Sequence, residues 1–245
     1  MAETFVLVHG AWHGAWCWAG VMGELRRRGH RAYAVDLPGR PGNPRPHSQV
    51  NRRVWVDAVV EAIARLELAE VVLAGHSMGG LTITGVCLEI PERIKRVIYL
   101  TALVPPETGS LADEMPSLLT PAMGASMQNS ADGLSSTMGI EYFRSAFLQD
   151  GSRDLQDFVY AALVPEAMAP IADPVPMRDF HSLGIPASYV ICEDDQVFGD
   201  PKKWHPGFSG RLRKPSTRVL KNCGHELMFT RPVETAHALI ELAAD

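Results

Sequence analysis

The sequence predicts an α/β fold: a mostly parallel central sheet flanked by helices, with a helical cap inserted late in the chain. Three observations carry this. Short, continuously apolar runs alternate with segments of helical spacing from the N-terminus onward, the order of a parallel sheet covered on both faces. That alternation breaks between about 105 and 179, where weakly helical pieces are separated by Pro and Gly, and then resumes. Finally, 245 residues with 46% hydrophobic content suffice for one large core, so a single domain is expected over 1–245, its core at about 1–104 and 180–245.

Taken in order, Thr4 to Val8 is a first strand, doubly buried because its apolar run is continuous. A helix from about Trp16 to Arg28 carries Trp18, Met22 and Leu25 on one face, and Gly29 stops it. Arg31 to Val35 is the second strand, followed by a Pro- and Gly-rich loop through Pro46. Asn51 caps a helix in which Trp55, Val59, Ile63 and Leu66 recur at helical spacing up to Leu68. Val71 to Ala74 is a third strand, Gly80 to Glu89 a helix, and Arg96 to Leu100 a fourth strand. The insertion shows no strong strand, only helical pieces such as Gly139 to Leu148 and Asp154 to Leu163. Six methionines fall in it (Met115, Met123, Met127, Met138, Met168 and Met177), a composition that suits either irregular core filling or a pliable apolar lining. Strands at Ala187 to Cys192 and Thr217 to Leu220, with a loop and helix between them, and a helix from Val233 to Leu242 close the chain.

A formal charge of -5 gives no basic footprint for nucleic acid or acidic lipid. No apolar stretch has the length of a membrane span or a signal-peptide core, so a cytoplasmic protein without a membrane partner is expected. Cys17, Cys87, Cys192 and Cys223 lack Cys-x-x-Cys spacing and read as reduced and buried. His9 and His13 have the i,i+4 spacing of a metal pair on a helix, but Gly10 and Gly14 argue against a helix there, so neither metal nor cofactor is expected. Monomer and homodimer both remain open.

The chemistry is signalled by Gly75-His76-Ser77-Met78-Gly79, a Gly-x-Ser-x-Gly pattern entered from an apolar strand and left by a helix. By composition alone, on the order of one chain in ten of this length holds such a pattern by accident. The flanking strand and helix are what give it weight. A serine hydroxyl needs a base, and the base an orienting acid, so the later chain must supply a histidine and a carboxylate. His225 stands in a turn after one strand, and Asp195 follows another, with Glu193 and Asp194 competing for the same role. The order serine, acid, histidine is that of the α/β-hydrolase architecture. Ser77 is then the nucleophile, His225 the general base and acid, and Asp195 the group that holds the imidazole tautomer. Two backbone amides serve a developing oxyanion: Met78 at a helix N-terminus, and Ala11 in the loop after the first strand. Gly10, Trp12 and His13 share that loop and are expected at the substrate.

The stretch Phe5 to Trp18, with its His9-Gly10-Ala11-Trp12, together with the serine motif, Asp195-Gln196-Val197-Phe198 and Gly224-His225, resembles the α/β-hydrolase branch of plant methylesterases, hydroxynitrile lyases and related small bacterial esterases. The resemblance spans nearly the whole chain and is weakest from about Gly109 to Pro176. It implies the hydrolase sheet, the triad above, the Ala11 and Met78 amides as the oxyanion site, and a substrate tunnel under the cap. The function expected is a cofactor-independent serine hydrolase acting on a small to medium apolar ester through an acyl-enzyme. A carbamate, amide or lactone hydrolase on the same triad, and a ligand receptor on the same fold, are the alternatives. The lyases of this branch carry a lysine after the histidine and a threonine in the first loop, where this chain has Glu226 and Gly10. Lyase activity is therefore not expected, since a carboxylate beside the triad would repel departing cyanide.

Overall fold

Five apolar runs and one less regular one pair side by side in the computed structural model, which describes residues 2–245. Strands β1 (Thr4–Val8), β2 (Arg31–Val35), β3 (Val71–His76) and β4 (Ile94–Leu100) build one side of the sheet. Beyond the insertion, β8 (Ala187–Cys192) and β9 (Ser216–Leu220) complete it in the order β2-β1-β3-β4-β8-β9, every pairing parallel. β1 and β3 are buried at every position, as their unbroken apolar character requires. The edge strand β9 is not, and its alternating exposure explains why its sequence mixes polar and apolar residues.

Helices α1 (Ala19–Arg27), α2 (Arg52–Arg65) and α3 (Gly79–Glu89) connect these strands. The first expected helix is divided: Ala15–Trp18 is a tighter 3₁₀ turn, and α1 starts only at Ala19. Gly29 follows its end with φ +83°, a backbone state that glycine adopts without strain. Asn51 caps α2 by accepting from the Val54 amide at 2.9 Å. Helix α2 ends at Arg65, short of Leu68, because Glu67 turns into the left-handed region. The terminal helix α10 (Pro232–Ala244) packs with α1 on one face of the sheet, and α2 and α3 cover the other.

Within 105–179 lie α4 (Leu111–Leu118), α5 (Pro121–Ser126), α6 (Ile140–Tyr142), α7 (Arg153–Ala161) and α8 (Met177–Ser182). The helix expected over 139–148 is only α6 followed by a wide π turn at Phe143–Phe147. The absence of strands expected there is corrected by a small antiparallel sheet of β5 (Met127–Asn129), β6 (Ser135–Met138) and β7 (Glu166–Ala167). Strands of three, four and two residues, rich in Ser, Asn and Gln, are too short to show periodicity; pairing alone defines them. Between β8 and β9 the expected helix is a series of short turns over 201–211, and α9 (Leu227–Thr230) precedes α10. Among the described residues no helix is long and apolar enough to cross a membrane.

Candidate active site

Ser77 occupies the turn between β3 and α3 with φ +49°, a left-handed conformation costly for a residue with a Cβ. The glycines around it have no alternative. A Cβ on Gly75 would stand 2.9 Å from the Gly79 carbonyl oxygen, and one on Gly79 would stand 2.7 Å from the His9 oxygen and 2.9 Å from that of Val8. The helix therefore presses onto β1 and β3 where only hydrogen fits. The Ser77 amide donates to the Leu100 carbonyl at 3.3 Å, and its carbonyl accepts from Gly80 at 3.1 Å and Leu103 at 2.9 Å. Of residues 71–80, Ser77 alone keeps partial exposure.

Asp195 and His225 sit in the loops that follow β8 and β9, so neighbouring parallel strands deliver them to the same end of the sheet as Ser77. Both are fully buried, and His225 Nδ1 lies 2.6 Å from Asp195 Oδ2. The same oxygen accepts from the Thr101 hydroxyl at 2.6 Å, while Oδ1 accepts from the Val197 amide at 3.1 Å. Glu193 and Asp194 are exposed, which leaves Asp195 as the carboxylate on the imidazole. Burial disfavours the protonated imidazole of His225, but the charge and hydrogen bond of Asp195, with Glu226 nearby, outweigh it and hold its pKa above the ordinary histidine value. His225 Nε2 is buried without a protein partner, and the ring is packed by His76, Trp204 and Phe147 at centroid distances of 4.6, 5.1 and 5.2 Å.

The loop after β1 approaches from the other side. Neither the Ala11 amide nor the Met78 amide has an acceptor among the described residues. Gly10 lies directly under the serine: a Cβ there would be 2.8 Å from Ser77 Cβ and 2.9 Å from His76 Nδ1. Trp12 has φ +62°, and its unusual backbone is held by three bonds to the insertion. Its amide donates to Glu166 Oε2 at 2.8 Å, its carbonyl accepts from Val164 at 3.0 Å, and its indole donates to the Ser136 carbonyl at 3.0 Å. Glu166 in turn forms a buried ion pair with Arg40, whose Nε donates to the His13 carbonyl.

Between these pieces is a cavity of about 60 Å³ lined by Ala11, Trp12, Ser77 and Met78 from the core side. From the insertion it takes Met115, Met123, Met127, Met168 and Phe147, so four of the six methionines face it. Phe158 is exposed on the surface, and Phe143 is buried away from the cavity.

The alpha/beta hydrolase family matches residues 5–238 of the sequence. The chain belongs to this family. It is 34% identical, over 98% of its length and 99% of the relative's, to a carbendazim hydrolyzing esterase of Nocardioides sp. (strain SG-4G). It is 27% identical to esterase PIR7B of Oryza sativa subsp. japonica, over 98% and 96% of the two chains. Among solved structures, an extracellular alpha/beta-hydrolase from a Paenibacillus species, described as sharing homology with tobacco salicylic acid binding protein 2, superposes with a TM-score of 0.87 at 28% identity, covering 99% of this chain and all of the other.

In this hydrolase two residues fall elsewhere than the sequence indicates. His13 does not line the cavity; its Nδ1 is 2.8 Å from the Ala11 carbonyl, and its Nε2 is 3.4 Å from the Glu226 carboxylate. The Glu226 carboxylate likewise faces His13 and not the cavity, while its charge still acts on the neighbouring His225. At Gly10 a Cβ would crowd Ser77 and His76. His9 Nδ1 bonds the Gly10 carbonyl and its Nε2 the Leu37 amide, and no cluster of potential metal ligands occurs among the described residues. Thr101, Arg40 and Glu166 escaped the sequence reading. Nothing in it signals them beyond a hydroxyl at the end of a strand and two unremarkable charges.

Proposed function

We propose that this chain is a serine hydrolase that cleaves carboxylic esters through an acyl-enzyme on Ser77. His225 takes the Ser77 proton during attack and returns it to the departing alcohol, and Asp195 fixes the tautomer and stabilises the imidazolium. The Ala11 and Met78 amides receive the oxyanion of the tetrahedral intermediate, each contributing roughly 3 kcal/mol to the transition state. One observation carries the reading: a serine at φ +49°, opening into an apolar cavity, faces an end of the sheet where a buried His225 is bonded to Asp195 with its other nitrogen free. The esterases among its relatives support the same reaction class.

The substrate proposed is a small to medium apolar ester seated under a cap formed by 105–179. At about 60 Å³ the cavity is well below the roughly 300–1,000 Å³ usual for small-molecule sites, so the methionines must move to admit ligand, which unbranched thioethers do readily. The similarity to a carbendazim hydrolyzing esterase makes that compound the first to add to a panel of simple esters. Four free buried cysteines fit a reducing compartment, and on that ground we place the enzyme in the cytoplasm. The test of the central reading is Ser77→Ala. Loss of p-nitrophenyl butyrate hydrolysis and of fluorophosphonate labelling, with the fold retained, is expected; retention of most activity would make another residue the nucleophile.

A further inference from the structure

The loop that presents the Ala11 amide is fastened by a carboxylate. Glu166, on β7 of the insertion, accepts the Trp12 amide at 2.8 Å, one residue from Ala11, and lines the same cavity as Ala11 and Ser77. Consecutive Cα atoms are only about 3.8 Å apart, so a full negative charge here stands close to the place where the oxyanion develops. Left alone it would oppose the charge that the amides are there to stabilise. Arg40 resolves the conflict. Its side chain is fully buried, Glu166 is its one carboxylate partner among the described residues, and its Nε reaches the His13 carbonyl two residues beyond Ala11.

We propose that Arg40 and Glu166 are positioning residues for ester cleavage: the pair clamps the oxyanion loop to the insertion, and Arg40 cancels the charge of the carboxylate that does the clamping. This rests on the Ala11 amide being an oxyanion donor and Ser77 the nucleophile. It assigns different duties to the two members. Glu166 is needed as an acceptor for Trp12, a duty that an amide can also perform, whereas Arg40 is needed as a charge for as long as position 166 is a carboxylate. The Trp12 φ of +62° and the bonds of Trp12 to Val164 and Ser136 mark the same seam, so the clamp acts on a segment that regular structure does not hold.

The test compares R40M, E166Q, the double variant R40M/E166Q and E166A, with turnover of p-nitrophenyl butyrate expressed per fluorophosphonate-titrated site and melting temperature recorded alongside. Removing one oxyanion donor costs about 10²–10³ in turnover, and a misplaced, opposed donor should cost part of that. R40M is expected to lower kcat per site by about 30-fold with KM within about threefold. E166Q should lose less than about tenfold, and adding it to R40M should recover about tenfold, since the uncompensated charge is then gone. A purely structural pair would lower the number of titratable sites and the melting temperature while leaving kcat per site unchanged, and that result would overturn the proposal. So would a double variant no better than R40M. Where R40M does not fold, E166Q against E166A decides: Gln keeps an acceptor for Trp12 and Ala does not, so equal kcat values reject the clamp. Failure of the underlying reading looks different, because the wild type itself would then show no Ser77-dependent labelling.

Discussion

The core of the sheet and the segment 105–179 reach the same cavity by opposite means. On the core side the contributors are closely held: Ser77 by a turn in which glycines are sterically required, Asp195 by three hydrogen bonds, His225 by Asp195 and by aromatic packing. On the other side four of the ten lining residues are methionines, among short pieces of helix and three strands of two to four residues. Chemistry needs its groups held within a few tenths of an ångström, whereas apolar recognition tolerates rearrangement. Rigidity is concentrated around Ser77, Asp195 and His225, and pliability in the methionines opposite them.

The sharpest way to break this contrast is at Asp195. Asp195→Asn should lower kcat by about 10⁴-fold, because the amide favours the wrong tautomer of His225. Asp194→Asn, at an exposed carboxylate, should change it less than about threefold. Comparable losses at both would mean that the loop after β8 is not held as described. Thr101→Val, which removes one of the three bonds to Asp195, should fall between them.

A smaller effect is expected on the pliable side. Met115→Ala and Met168→Ala should leave the fluorophosphonate labelling rate within about threefold but shift the butyrate-to-acetate preference by about tenfold, since one methylene in an apolar pocket is worth about 1–3 kcal/mol. If labelling collapses while preference is unchanged, the methionine lining is part of the rigid machinery and the contrast fails.

The smallest effect concerns pH. A base whose pKa is raised must lose its proton before it can act, so kcat/KM should rise with pH along a limb whose midpoint lies above the usual histidine value of about 6.5. Glu226 contributes to that rise by its charge, so Glu226→Gln should move the midpoint to lower pH with the plateau little changed. A midpoint that stays put would show that Glu226 is uncharged, consistent with its own carboxyl being pushed upward by burial.

How far the sequence foretold this follows from the same contrast. The strands and the serine turn were legible because continuous apolar runs and Gly75, Ser77 and Gly79 impose their structure locally. Asp195 and His225 were legible because strand ends are where such groups are presented, and chain order narrowed the choice. The insertion was not: β5, β6 and β7 exist through pairing, and the β6–β7 pair Ser135 and Ala167 lies 32 positions apart, which no local period records. His13 was misplaced for a related reason. Its neighbours in sequence line the cavity, but the left-handed turn at Trp12 rotates it onto Glu226. Arg40 and Glu166 are 126 positions apart, and their meeting could be seen only in three dimensions.

That meeting also has a consequence for heredity. The insertion looks like the natural unit to exchange when a new specificity evolves, because Ser77 takes its backbone bonds from core residues alone. Yet Arg40 lies in the core segment and Glu166 in the insertion. A recombinant that received a foreign insertion without a carboxylate at position 166 would bury a lone guanidinium, at a cost of about 3–5 kcal/mol, a large part of an ordinary domain's stability. Descent by exchange of that segment is thus restricted to donors that carry the matching acid, or to lineages in which position 40 has already changed.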